Sequence, residues 1–594
     1  MNIYERFNLY ALPEKFYLEP CDRDGGTLAN FHLQINRHST FMTILDSTEH
    51  RIPVVDADIS RIYGVIGTLR LVSGNVLILI RGAQVVGQLS GHDIWRVEST
   101  QLIPYKKSSL HLTEKQLWFE RHFIDMIELV LSTGGFYYSY TLDITRSLQW
   151  LFENAGPHFD RVSPVDRADD RFMWNGHLLK ELRAVNGAGR FCLPIMHGFI
   201  GSLQHKLANH LFKVFLISRR SIQRAGVRFH KRGVNSEGQS ANFVETEQIV
   251  EVLKGTVGRP SQLTSFLQTR GSIPLVWSQR PNLRWQPCPT LRPTADQLQA
   301  YVRHFSAQHH LYNGTHVIVD LVNQKGRERR VGGELERVSL QANLPFVKYH
   351  PFDFHRECHA MNWGRLALLR DQLRPFISQF GFFVSSESRE MGRFQVGYFR
   401  TNCMDCLDRT NVVQSLLGRE SLSDQLALLN ILLPHQKVED VPELEAAFKN
   451  LWADNGDMCS RQYAGTPALK ADFTRLGKRT YQGAMNDALN ALTRYFRNNF
   501  SDGFRQDAID LFLGNFTVDP NDLPLTFEAT LLTMDYHGVA IVIAAFSMAM
   551  TVLCLFVADS MGLSLFWVAV FFFCISFIFL NGEEFVNSPK LKTE

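Results

Sequence analysis

The chain has no excess of charge of either sign. Its 594 residues carry 62 Lys and Arg against 59 Asp and Glu, a formal net charge of +3, so overall electrostatics give no footing for a nucleic-acid binder. Any basic surface must be local. Cysteine is sparse: Cys21, Cys192, Cys288, Cys358, Cys403, Cys406, Cys459, Cys554 and Cys574 are scattered and odd in number. That excludes the dense disulfide framework of a small secreted domain and fits a reducing compartment. The first twenty residues mix charges with apolar residues and lack the uninterrupted apolar stretch of a secretory signal. The bulk of the chain is therefore expected in the cytosol. Internal repeats and extended low-complexity tracts are also missing.

What the chain does have is 45% hydrophobic residues, enough for more than one sizeable core. Two runs, 539–558 and 561–580, contain no charged residue and each approximates the ~20 apolar residues that cross a bilayer. Only Asp559 and Ser560 separate them, so residues 538–580 are expected to form a transmembrane helical hairpin. Lys590 and Lys592 follow it while the turn has no Lys or Arg, a bias consistent with both termini facing the cytosol. The tail 581–594 ends in KLKTE, which resembles the dilysine signal by which coat proteins return membrane proteins to the endoplasmic reticulum.

Short β-type runs such as RIYGVIGTLRLV and NVLILIRGAQVVGQL fill the stretch from Thr40 to Tyr105. Helical windows follow, LWFERHFIDMIELVLS among them. Beyond a soft boundary near Leu182, strand candidates at 273–277, 317–322 and 394–399 alternate with helical windows at 297–308, 362–380 and 411–419, the signature of an α/β domain. The expected division is a β-rich module at 1–182, a catalytic α/β domain at 183–505 and a membrane tether at 506–537.

The segment RFQVGYFRTNCMDCLDRTNVVQSLLGR, 393–419, reads as an apolar strand, a tight polar loop and a helix. Cys403 and Arg409 stand in C-x5-R spacing within the loop, and none of the other eight cysteines has an arginine six residues on. A loop between a strand and a helix N-terminus aims backbone N–H groups at a phosphate, and the helix dipole favours both phosphate and thiolate. The planar guanidinium of Arg409 can bind two phosphoryl oxygens at once, and Thr410 can hydrogen-bond the sulfur. Such a thiolate attacks phosphorus in line, forms a cysteinyl-phosphate and needs no metal or other cofactor. A zinc or redox site built on Cys403 and Cys406 lacks a second C-x-x-C. His350, His355 and His359 suit packing or hydrogen bonding better than a metal cluster.

RTNCMDCLDRTNVVQ looks like the signature of Sac-domain phosphoinositide phosphatases. WNGHLL at 174–179, RRSIQRAGVRFHKRGVNSEGQSANFVETEQI at 219–249, RGSIPLVWSQ at 270–279, FDFHRECHAMN at 352–362 and YAGTPALKADFTRLGKRT at 463–480 resemble other segments of that family. They run in order from about residue 60 to 500, and the terminal hairpin with its dilysine-like tail is similar to the family's endoplasmic-reticulum member. The resemblance implies an N-terminal module of packed sheets on a catalytic α/β domain with a cysteine-phosphatase phosphate loop, followed by two transmembrane helices. It also implies membrane phosphoinositides as substrates, phosphatidylinositol 4-phosphate first, then the 3-phosphate and the 3,5-bisphosphate. The expected location is the endoplasmic reticulum membrane, with cycling to the Golgi.

Asp405 and Asp408 are the candidate general acids, Asp405 first. Asn402, Met404, Cys406, Leu407 and Thr410 belong to the expected phosphate-binding loop. Arg356 and Lys470 stand in the family-like strings as candidate head-group contacts, with Arg219, Arg228 and Arg232 as further nearby cations. Two rival readings are a membrane-anchored phosphoinositide-binding protein without turnover and a protein tyrosine phosphatase.

Overall fold

The computed structural model describes residues 3–591 apart from 109, 157, 254–259, 360–362, 386–391, 479, 525–535 and 558–560. The Asp559–Ser560 turn of the expected hairpin and Lys592 of its tail lie outside the described residues.

Strands β1 (Phe7–Ala11), β2 (Lys15–Pro20), β3 (Phe31–Asn36), β4 (Met42–Asp46) and β5 (Asp58–Ile62) form an antiparallel sheet in the order β4-β3-β2-β1-β5. Alternation creates its inner face. Phe7, Leu9, Phe16, Leu18, Leu33 and Ile35 are each at most 1% exposed and share a core with Phe191 and Cys192.

A second sheet of twelve strands carries the rest of the body. It starts antiparallel with β6 (Gly64–Arg70), β7 (Asn75–Leu89), β8 (His92–Pro104), β9 (Phe136–Tyr138), β10 (Met196–Leu207), β11 (His210–Arg220), β12 (Val244–Leu253) and β13 (Pro260–Arg270). β14 (Trp277–Ser278) and β15 (Thr290–Leu291) make a separate ribbon. Beyond β13 the main pairing turns parallel, through β19 (Gly397–Asn402) to β16 (Thr315–Asp320) and then β17 (Val347–Pro351), while β18 (Phe383–Val384) pairs with β13. The parallel strands are joined by helices, Arg329–Ala342 between β16 and β17 and Leu366–Phe380 before β18, as parallel pairing requires. Since β9 pairs with β10, the sheet runs unbroken across residue 182, and the two expected halves share one hydrogen-bonded layer.

The strand expected at 273–277 shrinks to Trp277–Ser278. Ile273 and Leu275 are fully buried, but Pro274 between them has no N–H to give a ladder. The expected tether also begins later than residue 506. Asp502–Leu513 is a helix with Ile509, Leu511 and Phe512 buried in the same core as the helix Glu114–Ser132, and Val518 and Leu523 are buried as well. The chain stays on the body as far as Leu523.

Tyr536–Val557 and Met561–Leu580 are helices packed on each other, both long and apolar enough to cross a membrane. Phe556 is 85% and Phe573 73% exposed. A soluble core helix would bury such side chains, so their exposure fits a lipid surrounding.

Candidate active site

β19 lies between β13 and β16 and ends at Asn402, the loop Cys403–Leu407 follows, and the helix Asp408–Leu428 starts at once. The turn is tight because Cys406 takes a left-handed φ of 52°, an uncommon conformation for a residue with a Cβ. It directs the Cys406 N–H onto the Cys403 sulfur at 3.0 Å. Thr410 Oγ1 donates to the same sulfur at 3.5 Å. Leu407, at the N-cap, supplies no side-chain cap, which leaves the positive end of the helix to another acceptor.

Cys403 is 2% exposed and lies against a cavity of ≈ 200 Å³ lined also by His355, Asp408, Arg409, Lys470 and Thr474. Burial pushes its thiol up, but the Cys406 contact, the Arg409 charge and Thr410 outweigh it and bring the thiol from 9.0 down to about 6. At neutral pH the sulfur is an anion facing a cavity. Arg409 is held beside it: its Nη1 donates to the Leu321 carbonyl at 3.0 Å, and Nη1 and Nη2 donate to the two carboxylate oxygens of Glu328 at 3.0 Å each.

Asp405, the first-choice acid, lines the cavity and is bound by two arginines. Arg228 donates to both of its oxygens, at 2.9 and 2.6 Å, and Arg232 donates at 2.6 Å. Burial raises the carboxyl, but the two guanidiniums hold it far below the usual carboxylate range. A carboxyl so held stays ionised and has no proton to give. Asp408 lines the same cavity, its Oδ1 accepting from the Leu469 N–H at 2.9 Å and its Oδ2 lying 3.5 Å from Arg494.

The other expected residues divide. Asn402 is buried and donates to Asp320 at 2.7 Å, so it braces the loop from below. Met404 packs with Ile273 and Ile318, the Cys406 thiol donates to the Gly271 carbonyl at 2.7 Å, and Leu407 packs on Tyr463 and Ala464. Those three side chains face inward, so only their backbones are available to a bound anion. Lys470 lines the cavity. Arg356 does not: its side chain is 68% exposed and pairs with Glu357 at 2.8 Å. Arg219 is buried against Glu245 and Glu247 at 2.9 and 2.6 Å, so it serves the sheet.

Glu328 and Asp320 were not found from the sequence. Glu328 stands among charges with nothing local to distinguish it. Asp320 had a signal, an acid closing the apolar strand THVIVD at the carboxyl edge of parallel strands. Burial, with the nearby Cys403 charge adding to it, pushes its carboxyl up to about 6 despite hydrogen bonds from Tyr349 and Asn402.

The SacI homology domain matches residues 63–359. Phosphatidylinositol-3-phosphatase SAC1-A of Danio rerio is 44% identical over 599 residues, covering 99% of this chain and 98% of that protein. The chain belongs to the SacI-homology family. Phosphatidylinositol-3-phosphatase SAC1 of Drosophila melanogaster is 40% identical over 99% of this chain and 97% of its own. Phosphatidylinositol-3-phosphatase SAC1 of Saccharomyces cerevisiae is 37% identical over 90% of this Sac chain and 86% of its own. In the Danio and Drosophila pairs the likeness to this Sac chain extends past the matched domain, over the Cys403 loop and the two apolar helices.

Proposed function

We propose that this chain is a phosphoinositide phosphatase that removes the phosphate of phosphatidylinositol 4-phosphate, and also of the 3-phosphate and the 3,5-bisphosphate, through Cys403. The observation that carries the reading is the thiol at about 6 facing a cavity at the N-terminus of a long helix. Nucleophile and phosphate cradle coincide there. The relatives' names supply the lipid class and the 3-position; the 4-position rests on the resemblance of the loop to the Sac signature.

The Cys403 thiolate attacks phosphorus, the S–P bond forms, and the P–O bond to the inositol ring breaks. Asp408, bound by a single arginine, relays a solvent proton to the departing alkoxide and then takes one from the water that attacks the cysteinyl-phosphate. That second attack breaks the S–P bond, releases inorganic phosphate and regenerates the thiolate. Arg409 and the first-turn N–H groups bind the equatorial oxygens as charge shifts onto them. No metal enters this route. The apolar pair holds the enzyme in the endoplasmic reticulum membrane with both termini in the cytosol, and the KLKTE tail suits coat-protein recognition and cycling to the Golgi once Lys590 and Leu591 leave Asp507.

The test is phosphate release by the full chain in proteoliposomes holding each phosphoinositide, with EDTA present, beside Cys403→Ser. Release that persists in EDTA and vanishes in the variant supports the reading. A folded chain that binds these lipids and releases nothing would make it a binding protein.

A further inference from the structure

The helix Tyr481–Phe500 is amphipathic in the wrong sense for a soluble protein. Its face toward the body is polar: Arg494, Asn498 and Asn499 are the residues it buries. Arg494 donates to Thr466 at 2.6 Å, Ser460 at 2.8 Å and the Pro467 carbonyl at 2.7 Å. The apolar residues face outward. Tyr481, Met485, Leu489, Leu492, Phe496 and Phe500 are 88, 52, 57, 59, 61 and 44% exposed. Their spacing of four, four, three, four and four places them on one stripe, and a helix of 20 residues extends it over about 30 Å. Trp285, 59% exposed, stacks on Tyr495 beside it with ring centroids 5.4 Å apart.

Two observations say what covers this stripe. The first is the point where the chain leaves the second apolar helix. Just past Leu580, Gly582 packs so closely on the Asn282 backbone that a Cβ would collide with it. The Asn587 N–H donates to the Asn499 carbonyl at 2.6 Å, and its side-chain oxygen accepts from the Phe504 N–H at 2.9 Å. The Lys590 and Leu591 N–H groups donate to Asp507 at 2.8 and 3.0 Å, and Leu591 is 6% exposed. The membrane end of the apolar pair is thereby fixed at the foot of the stripe, near Phe500. The second is the other end, which follows the segment 468–474 that walls the cavity; the Lys470 N–H is held by Asp487 of the helix itself at 3.0 Å. One continuous apolar face joins the membrane entry point to the rim of the site.

We infer that the helix Tyr481–Phe500, with Trp285, is an interfacial membrane-binding element that lies on the bilayer in which the chain is anchored. Aromatic and aliphatic side chains enter the acyl boundary, while exposed Arg284 and Lys478 near its two ends meet anionic head groups. The cavity is then presented to lipid of its own membrane. The proposal rests on reading the chain as a membrane-anchored enzyme acting on lipid.

The experiment uses the full chain in phosphatidylcholine/phosphatidylserine proteoliposomes containing a phosphatidylcholine with a photoreactive diazirine in its acyl chain. Adducts are mapped by mass spectrometry. Labelling of 481–500 and of Trp285, beside the apolar pair, and none at Leu340, a 74% exposed residue on another helix, is the expected result. Adducts confined to the apolar pair would overturn the proposal. In a second arm, Leu489→Asp/Leu492→Asp/Phe496→Asp changes only exposed positions. It is expected to slow hydrolysis of bilayer phosphatidylinositol 4-phosphate about tenfold or more and to leave a water-soluble dibutanoyl analogue unaffected. Equal loss on both substrates, or on neither, would reject the interfacial role. If the unaltered chain hydrolyses neither, the functional reading fails, while the labelling pattern still reports on the helix.

Discussion

The Arg232 guanidinium donates to the Asp405 carboxylate at 2.6 Å and, through its other terminal nitrogen, to the Met404 carbonyl at 2.7 Å. A cation whose side chain is 2% exposed thus stitches the nucleophile loop to the segment around Phe229, and Asp405 is the charge that makes its burial tolerable. Asp405→Ala leaves Arg232 buried and unpaired and is expected to cost about 3 kcal/mol, read as a lower thermal midpoint of the full chain in detergent. The sign with pH follows. Asp405 is held ionised far below its unfolded value, so its contribution is complete above pH ~4 and fades only as pH falls further. Asp405→Asn should flatten that acid limb. An unchanged midpoint in Asp405→Ala would contradict the clamp.

Alkylation of Cys403 by iodoacetamide should rise with pH through a midpoint near 6, because only the thiolate reacts. Thr410→Val removes a donor to the sulfur and should move that midpoint upward. A midpoint near 9 in the unaltered chain would sink the reading of an activated nucleophile.

Proton donation by Asp408 predicts a dependence on the leaving group. Asp408→Asn should lower lipid turnover by about 10²-fold or more, since an inositol alkoxide must be protonated as it departs. An aryl phosphate leaves without help and should be spared. Equal losses on both substrates would assign Asp408 a purely structural role through Leu469 and Arg494.

The two cations taken from family-like strings should separate kinetically. Lys470 lines the cavity, and Lys470→Ala should raise KM several-fold with kcat little changed. Arg356 is solvated beside Glu357, and Arg356→Ala should leave both constants alone. The reverse ranking in a proteoliposome assay would place the head group on the other side of the loop.

The strand, the loop and the helix around Cys403 were legible because each is written in consecutive residues: an apolar strand, a polar turn with C-x5-R spacing, then a helical window. The helical start was read at 411, whereas the helix begins at Asp408, since cap residues there carry no side-chain signal. The burial of Asp502–Leu513 was missed because Pro520 and Pro524 downstream drew the whole segment into a loop reading, although Ile509 and Phe512 repeat at helical spacing. The inverted helix Tyr481–Phe500 shows a further limit. Periodicity reveals that a helix has two faces and says nothing of which one meets water.

By itself the sequence determined the two apolar runs, the nucleophile with its arginine six residues on, and the alternation that builds a parallel sheet edge. All are properties of neighbours in the chain. Only the tertiary structure decided that Asp405 belongs to Arg228, 177 residues away, that Arg409 is held by Glu328, and that the tail returns to Asp507. Charges have many partners of opposite sign in a chain of this composition, and the fold selects among them by bringing a few within hydrogen-bond distance where water is excluded.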